Sequence, residues 1–262
     1  MRIQKILFPV DFSDRSRGAT NFVEEFVGRF QAELTLLHVV TPFTYNDTMD
    51  KEADRRVQLD SFLPADFDYF NVKRMLLHGD PALQIVDYAR SNGSDLIMLS
   101  THGYGPYRRF LLGSVTAKVL HDADCPVWTT SHLESAPPVE KISIRNILCA
   151  LDLDSQGLKT LQWGASLAAE FQAHLSLLHV IPAPDQDMKV RNAIEKMQQE
   201  AGTKAMLHLE QGDIPDHIER AAKRLHADLV LIGRSSDAGI FGRLRKNSYA
   251  IIRQTPCAVI SV

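Results

Sequence analysis

Residues 6–40 of the chain read ILFPVDFSDRSRGATNFVEEFVGRFQAELTLLHVV, and residues 147–181 read ILCALDLDSQGLKTLQWGASLAAEFQAHLSLLHVI. The two stretches align without a gap and are identical at about a third of their positions. Asp11 lies opposite Asp152 in this alignment. A repeat of this length indicates one structural unit that the chain builds twice.

The repeat continues beyond these stretches. Residues 78–100, HGDPALQIVDYARSNGSDLIMLS, pair with residues 211–233, QGDIPDHIERAAKRLHADLVLIG. Between the two copies, residues 131–145 read SHLESAPPVEKISIR, with two adjacent prolines and no apolar period, which is typical of a linker. The sequence therefore predicts a first domain at residues 1–132, a linker at 133–145 and a second domain at 146–262.

Two kinds of apolar period alternate within each copy. In the first copy, KILFPVD and AELTLLHVV are short apolar runs without polar alternation, as expected of parallel strands that are covered on both faces. Between them, apolar residues recur at helical spacing: Ala19, Phe22, Val23, Phe26, Val27 and Phe30. Strand and helix patterns then follow in turn to the end of the copy. Each copy is predicted to be α/β, an open five-stranded parallel sheet with helices on both faces.

Composition places the chain among soluble globular proteins. It has 262 residues, a formal net charge of -3 and 45% hydrophobic residues, so its overall charge does not favour nucleic acid or an anionic membrane as a partner. The N-terminus reaches Pro9 and Asp11 before an apolar run long enough for export or insertion builds up, and we expect a cytoplasmic location. Cys125, Cys149 and Cys257 lie within or beside apolar runs, which favours buried thiols over disulfides.

A glycine-bearing loop follows the fourth predicted strand, where residues 100–116 read STHGYGPYRRFLLGSVT. Parallel sheets bind ligands outside the carboxyl ends of their strands. A helix that begins at Gly113 and Ser114 directs its free N–H groups and the positive end of its dipole at that edge, and the hydroxyls of Ser114 and Thr116 add donors. The loop therefore predicts a phosphate site. Asp11, at the end of the first strand, is an acceptor for the amine or ribose hydroxyl of a nucleotide.

Less specific interpretations stay open for these residues. Strand-loop-helix connections with glycines are common, and Asp11 can simply cap the following helix, although Ser13 is better placed as the N-cap. His38 and its repeat partner His179 stand alone in apolar strands, which favours hydrogen-bonded structural histidines over metal ligands. The sequence has no P-loop, nucleophile elbow or kinase signature, so a binding protein is favoured over an enzyme, with slow ATP hydrolysis left open.

Together these features resemble the universal stress proteins, in a tandem form whose two UspA-type domains cover nearly the whole chain. ATP-binding members of that family carry a G-2x-G-9x-G-(S/T) signature. Gly103, nine further residues and the pair Gly113-Ser114 match it here, while Ser100 replaces the first glycine. The start PVDFS and the second strand LLHVV strengthen the resemblance. It implies two tandem Rossmann-like domains of the adenine nucleotide alpha hydrolase-like kind.

The resemblance also implies a nucleotide site in the first domain. Pro9, Val10 and Asp11 would line the adenine side, and Val40 would meet the adenine edge through its backbone. The residues that would surround the ribose and the phosphates are Ser100, His102, Gly103, Gly113, Ser114, Val115 and Thr116. The expected ligand is ATP, with or without Mg²⁺. We expect Ser100 to weaken binding without abolishing it, because a Cβ there narrows the approach to the ribose and phosphates.

The second copy departs from this pattern. Gly233 stands where the first copy has Ser100, but no Gly-Ser pair opens the last helix, and Gly113 falls opposite Arg243 or Lys246. The phosphate cradle is therefore predicted to be missing from the second domain. Asp152 leaves a site for adenosine alone open, and the basic residues of the loop leave open an anion site that depends on charge.

The predicted function is a universal stress protein that binds ATP or a related adenine nucleotide in its first domain and acts in regulation. The resemblance implies that the two domains pair through their last strands as an internal pseudo-dimer and that two chains associate further; exposed apolar edges invite such pairing. The alternative is a stress-response interaction protein whose nucleotide sites have decayed. A weaker alternative is a related enzyme that releases pyrophosphate from ATP, but PVDFSD does not supply the SGGxDS loop that such an enzyme needs.

Overall fold

The computed structural model describes residues 2–41, 49–63, 65–101, 112–130, 142–181, 187–234 and 247–262. The described residues form two compact units, one made of residues 2–128 and one of residues 143–262, with Thr129 and Thr130 counted in the second. Most of the predicted linker lies outside the described ranges. The domain limits at residues 132 and 146 therefore stay a prediction.

The first unit, completed by Thr129 and Thr130 at the end of its last strand, is an α/β domain with a five-stranded sheet. Its strands are β1 (Lys5–Pro9), β2 (Glu33–Val40), β3 (Val72–His78), β4 (Leu96–Ser100) and β5 (Val127–Thr130). Its helices are α1 (Asp14–Phe30), α2 (Met49–Asp60), a 3-10 helix (Ala65–Tyr69), α3 (Pro81–Asn92) and α4 (Ser114–Asp122). The strand order is β3-β2-β1-β4-β5, and β1 is parallel to both β2 and β4.

The second unit repeats this plan. Its strands are β6 (Asn146–Ala150), β7 (His174–Ile181), β8 (Met206–Gln211), β9 (Leu229–Ile232) and β10 (Ala258–Ser261). Its helices are α5 (Ser155–Phe171), α6 (Asp187–Ala201), α7 (Ile214–Arg224) and α8 (Ser248–Gln254). The order β10-β9-β6-β7-β8 is parallel throughout. The predicted α/β class and the duplicated unit are both confirmed.

Burial explains why the central strands show no polar alternation. Ile6, Leu7 and Phe8 of β1 are at most 1% exposed, and the matching residues of β6 are equally buried. A strand whose successive side chains are all buried is covered by helices on both faces, as parallel sheets generally are. Ala19, Val23, Phe26 and Val27 supply the buried face of α1, as their helical spacing predicts.

The same turn opens a helix in both domains. Gly79 and Gly212 have φ values of +133° and +143°, which a residue with a Cβ rarely adopts. The aspartate that follows each glycine is an N-cap: Asp80 accepts the N–H of Leu83 at the start of α3, and Asp213 plays the same part for α7. The paired Gly-Asp positions therefore shape the chain reversal and the helix start.

A carboxylate ties the beginnings of two central strands together in each domain. One oxygen of Asp95 accepts the backbone N–H groups of Gln4 and Lys5, at 2.8 and 2.9 Å. Asp228 accepts the N–H groups of Arg145 and Asn146 in the same way. The contacts lie at the amino edge of each sheet, opposite the edge at which parallel sheets bind ligands, and they are structural.

The three cysteines are free thiols, as predicted. Cys149 is fully buried, and burial raises its pKa well above the ordinary value, whereas Cys125 and Cys257 are only partly buried. Tyr69, in the connection before β3, is 90% exposed, while its neighbour Phe67 is buried. Within the described ranges, no helix is long and apolar enough to cross a bilayer.

Gly164 gives a stringent test of packing in the second domain. A Cβ at this position would overlap the Sγ atom of Cys149. We expect Gly164→Ala to lower the free energy of unfolding by roughly 1–3 kcal/mol through overpacking. Adding Cys149→Ala should restore part of that loss, because the nearest atom of residue 149 to the new methyl is then the Cβ, at 3.9 Å. Urea unfolding of the single and double variants measures both effects.

Gly28→Ala is the control. Gly28 lies in the middle of α1, and a Cβ there meets Phe70 at an ordinary 3.6 Å. This exchange should be neutral or stabilise the protein by up to about 1 kcal/mol, since alanine favours the helix. A double variant no more stable than Gly164→Ala alone would contradict the proposed overlap.

Candidate functional site

The candidate site lies where the strand order of the first domain reverses. From β1 the chain builds β2 and β3 on one side, and then crosses to β4 on the other side of β1. Open parallel sheets form a crevice at the carboxyl ends of the strands at such a point. Leu7 pairs with Ile97, so the same register places Val10 level with Ser100 at the edge of this crevice.

Asp11 follows β1 and is held by the first turn of α1. Its Oδ1 atom accepts three hydrogen bonds, from the backbone N–H of Ser13 at 3.0 Å and from the hydroxyls of Ser13 and Ser16, both at 2.6 Å. Ser13 is also the N-cap of α1, as predicted. Asp11 therefore does more than cap the helix: one carboxylate oxygen is fixed by three donors, and no hydrogen bond within the described residues reaches the other.

Phe12 holds an unusual backbone conformation beside this carboxylate. Its φ is +63°, in the left-handed region that residues with a Cβ occupy at a cost. The ring is buried and packs against His38, with ring centroids 4.2 Å apart. The buried ring contact compensates for the backbone strain. Phe12 thereby fixes the direction in which the chain leaves Asp11, and the sequence carried no signal for it.

The paired histidines are structural, as predicted. His38 lies in β2 and its Nδ1 is 2.8 Å from the carbonyl of Val10, while His179 in β7 is 2.7 Å from the carbonyl of Leu151. Each carbonyl belongs to the residue just before the matched aspartate. Because a carbonyl only accepts, Nδ1 carries the proton in both rings. These bonds hold the strand end that presents Asp11 or Asp152.

The first turn of α4 lies beyond β4 at the same edge of the sheet. Gly113 is its N-cap, with φ -61° and ψ 145°, an extended conformation that does not require glycine. The N–H of Gly113 donates to the carbonyl of Thr101 at 2.8 Å, so it is not available to a ligand. The next three N–H groups, from Ser114 to Thr116, precede the first backbone bond within the helix, which Ala117 donates to Gly113.

One predicted donor has a different role. The hydroxyl of Thr116 donates to the carbonyl of Ser100 at 3.0 Å, and its side chain is buried. It therefore fastens α4 to the end of β4 and leaves only its backbone N–H for an anion, contrary to the expectation that both hydroxyls add donors. The carbonyl of Val40 likewise already accepts the N–H of Gly79 at 3.0 Å, so a ligand would share that oxygen.

The structure places most of the predicted site residues at one edge of the sheet: Pro9, Val10, Asp11, Val40, Ser100, Gly113, Ser114, Val115 and Thr116. His102 and Gly103 lie outside the described residues. The sequence analysis missed Phe12, Ser13 and Ser16 as supports of Asp11. The sequence did carry a signal for the two serines, namely their spacing after Asp11. Ser16 lies three residues after the N-cap Ser13, and a hydroxyl at that place in the first turn faces back toward the end of the preceding strand.

The second domain has an open cavity at the equivalent edge, with a volume of about 360 Å³. Asp152, His179 and Gly233 are among the residues that line it. Its last helix differs from α4. When the two copies are aligned on Cys125 and Cys257, which lie just before the last strands, Ser248 matches Thr116. The helix α8 therefore begins two residues later than α4 does. The basic residues Arg243, Arg245 and Lys246 lie outside the described residues.

The universal stress protein family matches residues 2–131, 143–201 and 183–262. The chain belongs to this family. A universal stress protein of Methanocaldococcus jannaschii is 29% identical over 136 residues, covering 47% of this chain and 79% of its own length, and a second one from that organism is 27% identical over 158 residues, covering 50% and 97%. The crystal structure of a universal stress protein from Archaeoglobus fulgidus superimposes with a TM-score of 0.79 at 19% identity, covering 99% of this chain and 96% of that one. This last similarity supports the fold.

The pKa of His38 provides a test of its structural role. Burial is the largest influence and lowers this pKa below 6.5; Arg55 also lowers it, whereas the Val10 carbonyl and Asp11 raise it. Because the folded state binds the proton less readily than the unfolded chain, stability contributed by neutral His38 is present above about pH 6.5 and is lost as the pH falls below it. We expect the melting temperature to fall between pH 7.5 and pH 5.5.

His38→Asn isolates this contribution. The asparagine amide donates to the Val10 carbonyl from nearly the same place but does not titrate. The variant should lose less stability than the native chain over the same pH interval, as followed by thermal unfolding. Equal losses in both proteins would show that other groups cause the acid sensitivity.

Proposed function

We propose that the first domain binds an adenine nucleotide, with ATP as the best fit, and that the protein acts as a nucleotide-binding regulator without an enzymatic role of its own. One observation carries the proposal. A fixed carboxylate at the end of β1 and the first turn of α4 beyond the end of β4 flank the reversal point of the sheet. A donor-rich base and an anionic chain are the two ends of a nucleotide that these groups complement.

Asp11 supports the base or ribose end. The three donors on Oδ1 hold the carboxylate in one orientation, which reduces the entropy lost when Oδ2 accepts a hydrogen bond from a ligand. The strained backbone at Phe12 is consistent with this role, because such strain concentrates at sites where a geometry is fixed in advance.

The first turn of α4 supports the phosphate end. The helix is nine residues long, and the N–H groups of Ser114, Val115 and Thr116 lie at its positive end. Ser114 is exposed, so its hydroxyl remains accessible as a donor. We assign no protein ligands to Mg²⁺, since no group of three or more His, Cys, Asp or Glu suited to a metal occurs within the described residues.

The second domain indicates where the Cβ of Ser100 points. A Cβ built on Gly233, which matches Ser100, meets Thr160 at 3.2 Å and Gln156 at 3.8 Å, both on α5. Thr160 is matched by Ala19, so the first domain pairs a serine with an alanine where the second pairs a glycine with a threonine. The smaller alanine leaves room for the side chain of Ser100 to point toward α1. This weighs against Ser100 narrowing the crevice.

The alternative, an interaction protein with decayed nucleotide sites, gains support if Ser100 closes the crevice, and this exchange counts against such a closure. Cytoplasmic location, the pseudo-dimer of the two domains and the further association of two chains stay predictions. In the strand order of its own domain, each of β5 and β10 is one of the two end strands.

A charge placed at the start of α4 tests the proposal. Gly113→Asp should weaken ATP binding roughly 100-fold or more, because a carboxylate then meets the phosphates. Asp is a favourable N-cap and Gly113 has an ordinary extended backbone, so the helix should form. Calorimetric titration with ATP measures the effect. A native chain that shows no binding at millimolar ATP would refute the proposal.

Gly93→Asp is the matched control. It makes the same exchange in the same domain, at the C-cap of α3, where nothing lies within 4 Å of the new Cβ. Its φ of +63° is one that Asp tolerates better than most residues. ATP affinity should stay unchanged. An equal loss in both variants would mean that the effect reflects net charge and not position.

Ser100→Gly separates the two functions. If its Cβ faces α1, restoring the family glycine should change ATP affinity less than about 3-fold. A gain of tenfold or more would instead show that the serine obstructs the crevice, which would favour the alternative function. The same calorimetric titration gives the answer.

A further inference from the structure

The cavity of the second domain has largely apolar walls. Four isoleucines from three elements form much of them: Ile214 and Ile218 on α7, Ile232 on β9 and Ile251 on α8. The volume of about 360 Å³ lies within the range of small-molecule sites, which are typically apolar clefts with a few placed polar groups. The walls therefore suit a compact molecule with an apolar body.

The polar groups that β7 and α8 contribute to the lining are uncharged donors and acceptors. Asn247 is the N-cap of α8, and its side chain makes no cap hydrogen bond. His179 donates its Nδ1–H to the Leu151 carbonyl, so the neutral ring presents Nε2 as an acceptor. Ser248 adds a hydroxyl. Together these groups offer a ligand both donors and acceptors, as an amide or an alcohol requires.

The hydroxyl of Ser248 has a different use from its counterpart in the first domain. There the matching hydroxyl, on Thr116, donates to the carbonyl of Ser100. Gly233 stands where the first domain has Ser100, but no hydrogen bond joins the Ser248 hydroxyl to Gly233, although the structure describes both residues. The hydroxyl is therefore not used to fasten α8 to the end of β9, and it remains a polar group of the cavity.

Charge balance favours a neutral ligand. Asp152 is the one ionised side chain in the described part of the lining, and it already interacts with another group of the chain. A charged ligand would give up its water of hydration here. The described lining holds neither a basic side chain to offset an anion nor a second carboxylate to offset a cation. An uncharged ligand avoids this cost.

We propose that the second domain binds a compact, uncharged molecule in this cavity. Its apolar body lies between the isoleucines of α7 and α8, and one amide-type or alcohol-type group meets the polar residues of β7 and α8. The ligand carries no phosphate. The inference stands on the lining of this cavity and does not rest on nucleotide binding in the first domain.

Three probes with the same indole ring and different charges test the proposal on the full chain. Indole-3-acetamide is neutral, indole-3-acetate is an anion and tryptamine is a cation. Calorimetric titration, with saturation-transfer NMR to report contact of the ring, should show indole-3-acetamide binding at one site, at least about tenfold tighter than either charged probe. No binding of indole-3-acetamide at millimolar concentration, or a charged probe that binds as tightly, would overturn the proposal.

Adenosine distinguishes this class of ligand from a nucleoside. It is also uncharged, but its sugar carries several hydroxyls that the isoleucines would desolvate without a partner. In competition with indole-3-acetamide for the full chain, adenosine should therefore bind more weakly than indole-3-acetamide does. Equal or tighter binding of adenosine would assign the cavity to a nucleoside and refute the proposed chemistry.

Ile214→Trp locates the site. Ile214 lines the cavity at the start of α7 and is 36% exposed, so a larger side chain fits there without overpacking the core. The added ring should fill part of the cavity and weaken indole-3-acetamide binding at least about tenfold. Met188→Trp is the matched control, because Met188 is 71% exposed in the first turn of α6 and is not among the described lining residues. An unchanged affinity in Ile214→Trp, or an equal loss in Met188→Trp, would contradict the assignment.

Asn247→Asp tests the argument from charge. Asp caps a helix as well as Asn does, so α8 should be retained. The new carboxylate in the lining should reverse the preference, so that tryptamine binds more tightly than indole-3-acetamide. If the variant still prefers the neutral probe, Asn247 does not face the bound ligand and the proposal fails.

Discussion

In each domain a histidine of the second strand donates a hydrogen bond to the carbonyl just before the aspartate that the two copies share. The geometry at the carboxyl edge of each sheet depends on this bond. His38 and His179 each donate from Nδ1 to a carbonyl at the end of the neighbouring strand. Burial lowers the pKa of His38 and so favours its neutral ring. The result is a fixed point at the carboxyl edge of each sheet, from which Asp11 or Asp152 projects.

The two copies differ in how they use this fixed point. Ser13 and Ser16 donate hydroxyl protons to Asp11, whereas Asp154 and Gly157 occupy the matching positions in the second domain. Gly157 has no room for a side chain, because a Cβ would overlap the carbonyl of Asp152. The chain therefore passes closer to the strand end in the second domain, and Asp154 and Gly157 do not offer Asp152 the two hydroxyls that hold Asp11. The first carboxylate is held by the first turn of its own helix.

Sequence patterns predicted the architecture well because the repeat and the apolar periods report burial directly. The gapless match of residues 6–40 with 147–181 placed β1, α1 and β2 on their counterparts β6, α5 and β7. What the sequence did not predict depends on contacts between distant residues. The left-handed backbone of Phe12 is compensated by packing on His38, and the Thr116 hydroxyl is used by the Ser100 carbonyl. Neither contact has a local pattern.

Duplication lets one scaffold carry different groups at the same edge of its sheet. The carboxyl edge of a parallel sheet carries two competing fields: the positive end of the last helix and the carboxylate after the first strand. In the first domain the last helix begins at Ser114, and the hydroxyls of two serines hold one oxygen of Asp11. In the second domain the last helix starts two residues later, and Asp154 stands where the first domain has Ser13. A shift of half a turn in the helix start and the exchange of a serine for an aspartate thus change both contributions at this edge, while the order of the strands within each domain stays the same.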